Sequence, residues 1–179
     1  LFFGVIIIIY ISKFFKKDFI KIFSLLYVSI AFLCLTYLRL DENYLSYISF
    51  IILFAISVDV SAFFTGRTFG GPKLAINLSP GKTVSGAIGG ILFPICLCML
   101  IFFKNSGIFS ICFMTLIFSM ICQFGDLIES KLKRICSVKD SSNLIPGHGG
   151  VLDRLDSILA LIIIVSILKL LNHDLFFIV

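Results

Sequence analysis

Long apolar runs separated by short polar links predict a chain that crosses a membrane several times. An opening apolar run ends near Ser12, and a basic link follows over 13–18. Spans are then expected at about 20–38, 45–65, 84–103, 108–128 and 151–171. Each is roughly 20 residues, which at about 1.5 Å per residue matches the hydrocarbon core of a bilayer. The breaks are a polar turn at 39–43, a Gly/Pro/Ser loop at 66–83, a tight turn at 104–107 and a charged loop at 129–150. The opening run is too short to span, so the chain is expected to be truncated before Leu1. That run has neither the basic start nor the small-residue cleavage site of a signal peptide. The pattern predicts an all-α polytopic transmembrane helical bundle of five full spans plus a fragment. Gly86, Gly89 and Gly90 are expected to let one span pack closely on another.

Composition sharpens this class. The chain of 179 residues is 59% hydrophobic and 14% charged, too little charge for a soluble domain of its length. Its six cysteines form no CxxC pair and no His-Cys metal spacing, so they read as buried apolar thiols. Of the 15 Lys and Arg residues, alternation of the spans places all but Arg39, Lys104 and Lys169 on the side of the two Gly/basic loops. The positive-inside rule makes that side cytoplasmic. It also explains the net charge of +5 without a nucleic-acid partner.

Four carboxylates lie in or at the ends of spans: Asp59, Asp126, Asp153 and Asp156. A carboxylate in hydrocarbon costs on the order of 3 kcal/mol, so each needs a partner or a wet cavity. All four fall near the same face of the membrane, which favours a shared metal site over four separate ion pairs. Asp153 and Asp156 are three apart and share a helix face, a spacing that Asp126 and Glu129 repeat. Oxygen donors without Cys or clustered His point to Mg²⁺ or Mn²⁺ rather than zinc.

The two loops carry the complementary chemistry. The 129–150 loop offers Lys131, Lys133, Arg134 and Lys139, then His148-Gly149-Gly150 just before a helix. Glycines let backbone N–H groups approach an anion, and a helix N-terminus adds partial positive charge. The 66–83 loop ends in Ser79-Pro80-Gly81-Lys82-Thr83, also opening a helix, without the spacing of a Walker A loop. Together they suit a polyphosphate held beside a lipid. His148 fits a general base, a phosphate ligand or a turn residue.

At these residues the chain resembles the phosphatidate cytidylyltransferase (CDP-diacylglycerol synthase) family. The family signature is S-x-[LIVMF]-K-R, four residues, K-D, a linker, then [PG]-x-H-G-G-[LIVMF]-x-D-R-x-D. Ser130-Lys131-Leu132-Lys133-Arg134, Lys139-Asp140 and Pro146 through Asp156 satisfy every constrained position. Gln123 through Ser130, Asp59 through Arg67, and Ser79 through Thr83 are similar to weaker family blocks. One departure stands out: after the Ser-Pro-x-Lys-Thr block the family usually carries Trp-Glu-Gly, where this chain has Val84-Ser85-Gly86.

The resemblance implies a multi-pass enzyme of the inner (plasma) membrane that makes CDP-diacylglycerol and pyrophosphate from CTP and phosphatidic acid. It implies Mg²⁺ dependence, a site facing the cytoplasm and a homodimer among membrane lipids. Residues 58–171 would be the catalytic region, 1–57 the N-terminal transmembrane helices and 172–179 a short tail. On this resemblance Asp126, Asp153, Lys133, Arg134 and His148 are expected to be catalytic, with His148 favoured for binding. Ser79, Lys82, Thr83, Lys139, Gly149, Gly150 and Arg154 are expected to bind substrate. Asp126 and Asp153, then Asp156 and Asp59, are the expected metal ligands. Two alternatives stay open: a CTP-dependent polyprenol or phytol kinase, and an inactive fragment of the family. A CDP-alcohol phosphotransferase is disfavoured, because its Gly and Asp residues are spaced by three intervening positions and here the spacing is two. A transporter is disfavoured by the lack of paired broken helices.

Overall fold

No water reaches the middle of a bilayer to satisfy backbone N–H and C=O groups, so a spanning segment must close its hydrogen bonds within itself. A computed structural model of the chain shows this solution. It describes residues 18–75, 79–102, 107–135, 138, 150 and 152–171, with backbone alone at 18–21, 75, 80 and 152–154. The elements are α1 (Asp18–Arg39), α2 (Tyr44–Phe69), β1 (Lys73–Ala75), β2 (Ser79–Thr83), α3 (Val84–Phe102), α4 (Ile108–Ile135) and α5 (Leu152–Leu170). The first four helices are long and apolar enough to cross a membrane. The fifth expected span, α5, has 19 residues but is charged at both ends, by Asp153, Arg154 and Asp156 and by Lys169. The chain is therefore an all-α polytopic membrane protein. The opening run at 1–12 lies outside the described residues.

Several hydroxyls inside the helices are satisfied locally. Ser61 Oγ donates to Ser57 O at 2.6 Å, Thr65 Oγ1 to Ser61 O at 2.7 Å and Ser166 Oγ to Ile162 O at 2.7 Å. Such back-bonding removes the need for a partner on another helix. The core is a mostly apolar seam at three- and four-residue spacing, with a few buried polar residues in it. α2 contributes Tyr47, Ile51, Phe54, Ala55, Val58 and Ser61, and α4 contributes Ile111, Thr115, Phe118, Ser119, Cys122, Gly125 and Glu129. Phe54 meets Phe118 edge-on with centroids 5.9 Å apart. Helices α2 and α3 pack most extensively, at the expected glycines: a Cβ on Gly86 would lie 2.7 Å from Ala62 O.

Three expectations about the loops need correction. Helix α2 runs through Gly66 to Phe69. Helix α4 continues past 128 to Ile135, so Lys131, Lys133 and Arg134 are helical rather than in a loop. Glu, Lys, Leu and Arg are good helix formers, and Lys133 Nζ lies 3.6 Å from Glu129 Oε1 one turn back. Finally, the 66–83 segment contains an antiparallel hairpin, with Lys73 opposite Thr83 and Ala75 opposite Ser79. The chain turns into it at Gly70 (φ 60°) and Gly71 (φ 103°), conformations that side-chain-bearing L-residues rarely adopt.

At the far end of the bundle from this hairpin, Lys169 of α5 clamps the α1–α2 turn. Its Nζ lies 2.7 Å from Asp41 Oδ2, 4.8 Å from the Tyr37 ring centre and 5.1 Å from that of Tyr47. Asp41 Oδ1 also accepts a hydrogen bond from Asn43 N at 2.7 Å. The hydrogen bond from Lys169, then that from Asn43, holds the Asp41 carboxyl below its ordinary value. A carboxyl depressed by folding stabilises the fold above its unfolded pKa and loses that contribution as pH falls through the folded value. Asp41→Asn is therefore expected to lower the thermal midpoint in detergent at pH 7. The gap from the parent should close as pH falls below about 4. A gap unchanged between pH 7 and pH 3 would remove the clamp's ionic character.

Candidate active site

Three of the four predicted acidic residues, Asp59, Asp126 and Asp156, come together at the hairpin end of the bundle. Asp59 stands on α2, ten residues before the helix ends at Phe69, or about 15 Å along its axis. Its Oδ2 accepts a hydrogen bond from Ser157 Oγ of α5 at 3.4 Å. Asp126 stands on α4, nine residues before Ile135. Asp156 stands in the first turns of α5, where its Oδ1 accepts from Ser157 N at 2.7 Å. Asp156 is also within side-chain hydrogen-bonding reach of both Glu129 and Asp126. The cluster is thus recessed, and α2 and α4 continue beyond it.

A glycine makes this convergence possible. A Cβ on Gly125 would lie 2.8 Å from Ala160 Cβ and 3.0 Å from Asp156 O. With hydrogen there instead, α4 and α5 approach until the Asp126 and Asp156 side chains meet. On the α3 side, Gln123 Nε2 donates to Ala87 O at 3.1 Å. Gly90 leaves the room, since a Cβ there would lie 3.1 Å from the same Gln123 nitrogen.

Two lysines answer the carboxylates. Lys82, at the end of the hairpin, forms an ion pair with Asp126 Oδ2, and Ser130 Oγ lies 3.5 Å from Asp126 Oδ1. Lys133 pairs with Glu129 as described above. With all these groups ionised, the described side chains carry two net negative charges: Asp59, Asp126, Glu129 and Asp156 against Lys82 and Lys133. Carboxylates within hydrogen-bonding reach of each other hold a proton or a cation between them. Among the described residues no three His, Cys, Asp or Glu side chains surround a common point as a ready metal cage. The donors that do come together, on Asp59, Asp126 and Asp156, are hard carboxylate oxygens, the type Mg²⁺ takes one or two at a time with water and substrate phosphate completing its shell.

The other expected site residues divide into three groups. Lys133 and Arg134 sit in the last turn of α4, Arg134 exposed. Ser79 opens β2, and Gly150 is buried just before α5. Thr83 is 7% exposed, and its hydroxyl accepts from Gly86 N at 3.1 Å, which caps α3. The side chains of Asp153 and Arg154, and the whole of Lys139, His148 and Gly149, lie outside the described residues. Glu129, Ser157, Gln123 and Tyr27 were not among the expected site residues. Tyr27 of α1 lies within electrostatic range of Asp156 and Glu129. The three-residue spacing of Asp126 and Glu129 was a signal for Glu129. Ser157 and Tyr27 carry no sequence signal apart from the fold.

The model of the cytidylyltransferase family matches residues 1–171. The chain belongs to the cytidylyltransferase family. Its curated relatives in that family include the phosphatidate cytidylyltransferase of Brucella abortus biovar 1 (strain 9-941), 43% identical over 141 residues, which are 76% of this chain and 52% of the relative. That of Staphylococcus saprophyticus is 40% identical over 148 residues, 81% of this chain and 56% of the relative. That of Bacillus subtilis (strain 168) is 42% identical over 124 residues, 68% and 46% respectively. The chain spans about half the length of these cytidylyltransferases.

The Gly125 contact predicts a specific failure. Gly125→Val is expected to push α5 off α4 and cost about 1–3 kcal/mol, the usual price of overpacking. Gly107→Val, at a position with nothing within 4 Å of a Cβ, should be nearly neutral. Thermal unfolding of both variants in detergent checks the difference, and equal midpoints would discount the close approach.

Proposed function

We propose that this chain carries the catalytic half of a CTP:phosphatidate cytidylyltransferase. The observation that carries the reading is the recessed cluster of carboxylates with Lys82 at its mouth, in a chain about 40% identical to proteins named phosphatidate cytidylyltransferase. The reaction is a displacement at phosphorus. An oxygen of the lipid phosphate bonds to the α-phosphorus of CTP, the bond from that phosphorus to the β-phosphate's bridging oxygen breaks, and pyrophosphate leaves. CDP-diacylglycerol stays in the membrane.

The nucleophile is already anionic near neutral pH, so the protein's task is positioning and charge neutralisation. Lys82 lies where a phosphate entering the cluster would exchange with the Asp126 carboxylate as its partner. Lys133 and Arg134 add charge on the same helix, and Lys139, Arg154 and the His148-Gly149-Gly150 turn would bind triphosphate or lipid phosphate. Ser79 and Thr83, on the same strand as Lys82, would bind substrate beside it, Thr83 while also capping α3. Asp126 and Asp153, with Asp156 and Asp59 beside them, would hold Mg²⁺. When bound there, the ion would supply charge neutralisation on the phosphate oxygens. The bias of Lys and Arg toward the hairpin side supports a site open to the cytoplasm, where CTP is dissolved.

The test is incorporation of radiolabelled CTP into chloroform-soluble product by membranes containing the chain. Label is expected to enter lipid only with phosphatidic acid, and EDTA should abolish it. Asp126→Asn and Asp153→Asn are each expected to reduce the rate at least about 100-fold. Undiminished activity of either variant would overturn its assignment. With the label in the cytidine or α-phosphate, only cytidylyl transfer marks lipid; transfer from CTP labelled in its γ-phosphate to a polyprenol, with no cytidine label entering phosphatidic acid, would overturn the substrate.

A further inference from the structure

The junction between the hairpin and α3 holds a chain of hydrogen bonds whose direction is fixed. The Ser85 hydroxyl donates to Gly70 O, the carbonyl of the residue that caps the C-terminus of α2. Ser85 has one hydroxyl proton, so in its 3.0 Å contact with Thr83 Oγ1 the threonine must donate. Thr83 Oγ1 in turn accepts from Gly86 N at 3.1 Å. The order is Gly86 N–H to Thr83 to Ser85 to Gly70 O, each donor strengthening the next. It joins the first turn of α3, the last residue of β2 and the end of α2. A parallel backbone bond, Val84 N to Pro72 O at 3.0 Å, closes the same junction.

Lys82 immediately precedes Thr83, and its ammonium pairs with Asp126 on a different helix. The hairpin leaves α2 through Gly70 and Gly71, two residues with little torsional restraint, so it would pivot there unless held at its other end. The Ser85 hydroxyl, from the first turn of α3, bonds the carbonyl of Gly70 at that pivot and so ties the two ends of the hairpin segment together, beside the Val84–Pro72 backbone bond. Ser85 also stands where the resembled family usually has glutamate, so this chain needs its own account of the position. We propose that Ser85 is a positioning residue, one that fixes the hairpin so that Lys82 is delivered to Asp126. The consequence for nucleotide binding rests on the proposed transferase reading. The placement of Lys82 does not.

Two measurements separate these. Acetylation rates of Lys82 and Lys73 by N-hydroxysuccinimidyl acetate, read by mass spectrometry on the full chain in detergent, report the placement directly. Lys73 is exposed on the paired strand and serves as the internal reference. In Ser85→Ala, Lys82 is expected to react about fivefold faster, the factor equivalent to the net worth of one hydrogen bond. Lys73 should not change, and Ser85→Thr should restore the slow rate. Asp126→Asn, which removes the partner itself, calibrates the fully released rate. An unchanged Lys82 rate in Ser85→Ala overturns the inference. So does an equal rise at Lys73, which would mean that lysine reactivity has risen generally and not through release from Asp126. Should Ser85→Ala fail to insert, Ser85→Cys keeps the volume but donates weakly, and an intermediate Lys82 rate is expected. In the CTP assay Ser85→Ala should raise KM for CTP about fivefold with a smaller change in kcat. Release of Lys82 in a chain whose parent shows no CTP turnover would refute the transferase reading and leave the positioning role intact.

Discussion

Carboxylates recessed among apolar helices have to be neutralised where they stand, and the ion pair of Lys82 with Asp126 does so across the fold. The lysine comes from the hairpin and the aspartate from α4, so neither element can be placed without the other. The demand propagates outward. Asp126 meets Asp156 only because Gly125 lets two helices close. Asp156 sits beside Ser157, which reaches back to Asp59 on α2. Through one polar cluster, α2, α4, α5 and the hairpin are fixed relative to one another in a medium that gives apolar helices little reason to choose a neighbour.

Helix α5 is held at both ends by different physics. Its N-terminal turns are placed by shape at Gly125 and by hydrogen bonding at Ser157. Its last turn is placed by a cation set between a carboxylate and two tyrosine rings. Between them runs a stretch in which the Ser166 hydroxyl is satisfied mainly within the helix. A rod fixed at its two ends needs few specific contacts along its length, and the apolar middle supplies volume rather than address.

The sequence made the membrane spans legible because a bilayer imposes a length and a composition that any window of the chain can be tested against. It also made the carboxylates legible, since an aspartate in an apolar run has no cheap explanation. The partner of Asp126 was not legible: Lys82 looked like a phosphate ligand, and its pairing appears only when a hairpin folds it toward α4. That hairpin was missed because Gly, Pro, Ser and Asn favour turns, and two short strands carry no period to detect. The helical extension to Ile135 is not legible in the sequence, because charge reads as the end of a span. Charge marks the end of the hydrocarbon, and a backbone rich in Glu, Lys and Arg goes on coiling into water. Thr83 read as a ligand because hydroxyls beside a lysine suit phosphate, and the same hydroxyl serves equally well as a cap.

Among the described residues, glycines meet two unlike demands. At Gly86 and Gly125 the requirement is volume, since any added carbon strikes a neighbouring helix. At Gly70 and Gly71 a Cβ would meet nothing within 4 Å, and the backbone alone makes the demand. What that turn requires is handedness, so it discriminates between mirror images rather than between sizes. A D-alanine placed at either position by semisynthesis would find its own favoured torsion angles there, while L-alanine would be strained in an empty space. The entrance to the hairpin is a chiral constraint, and stereochemistry would relieve it where trimming side chains could not.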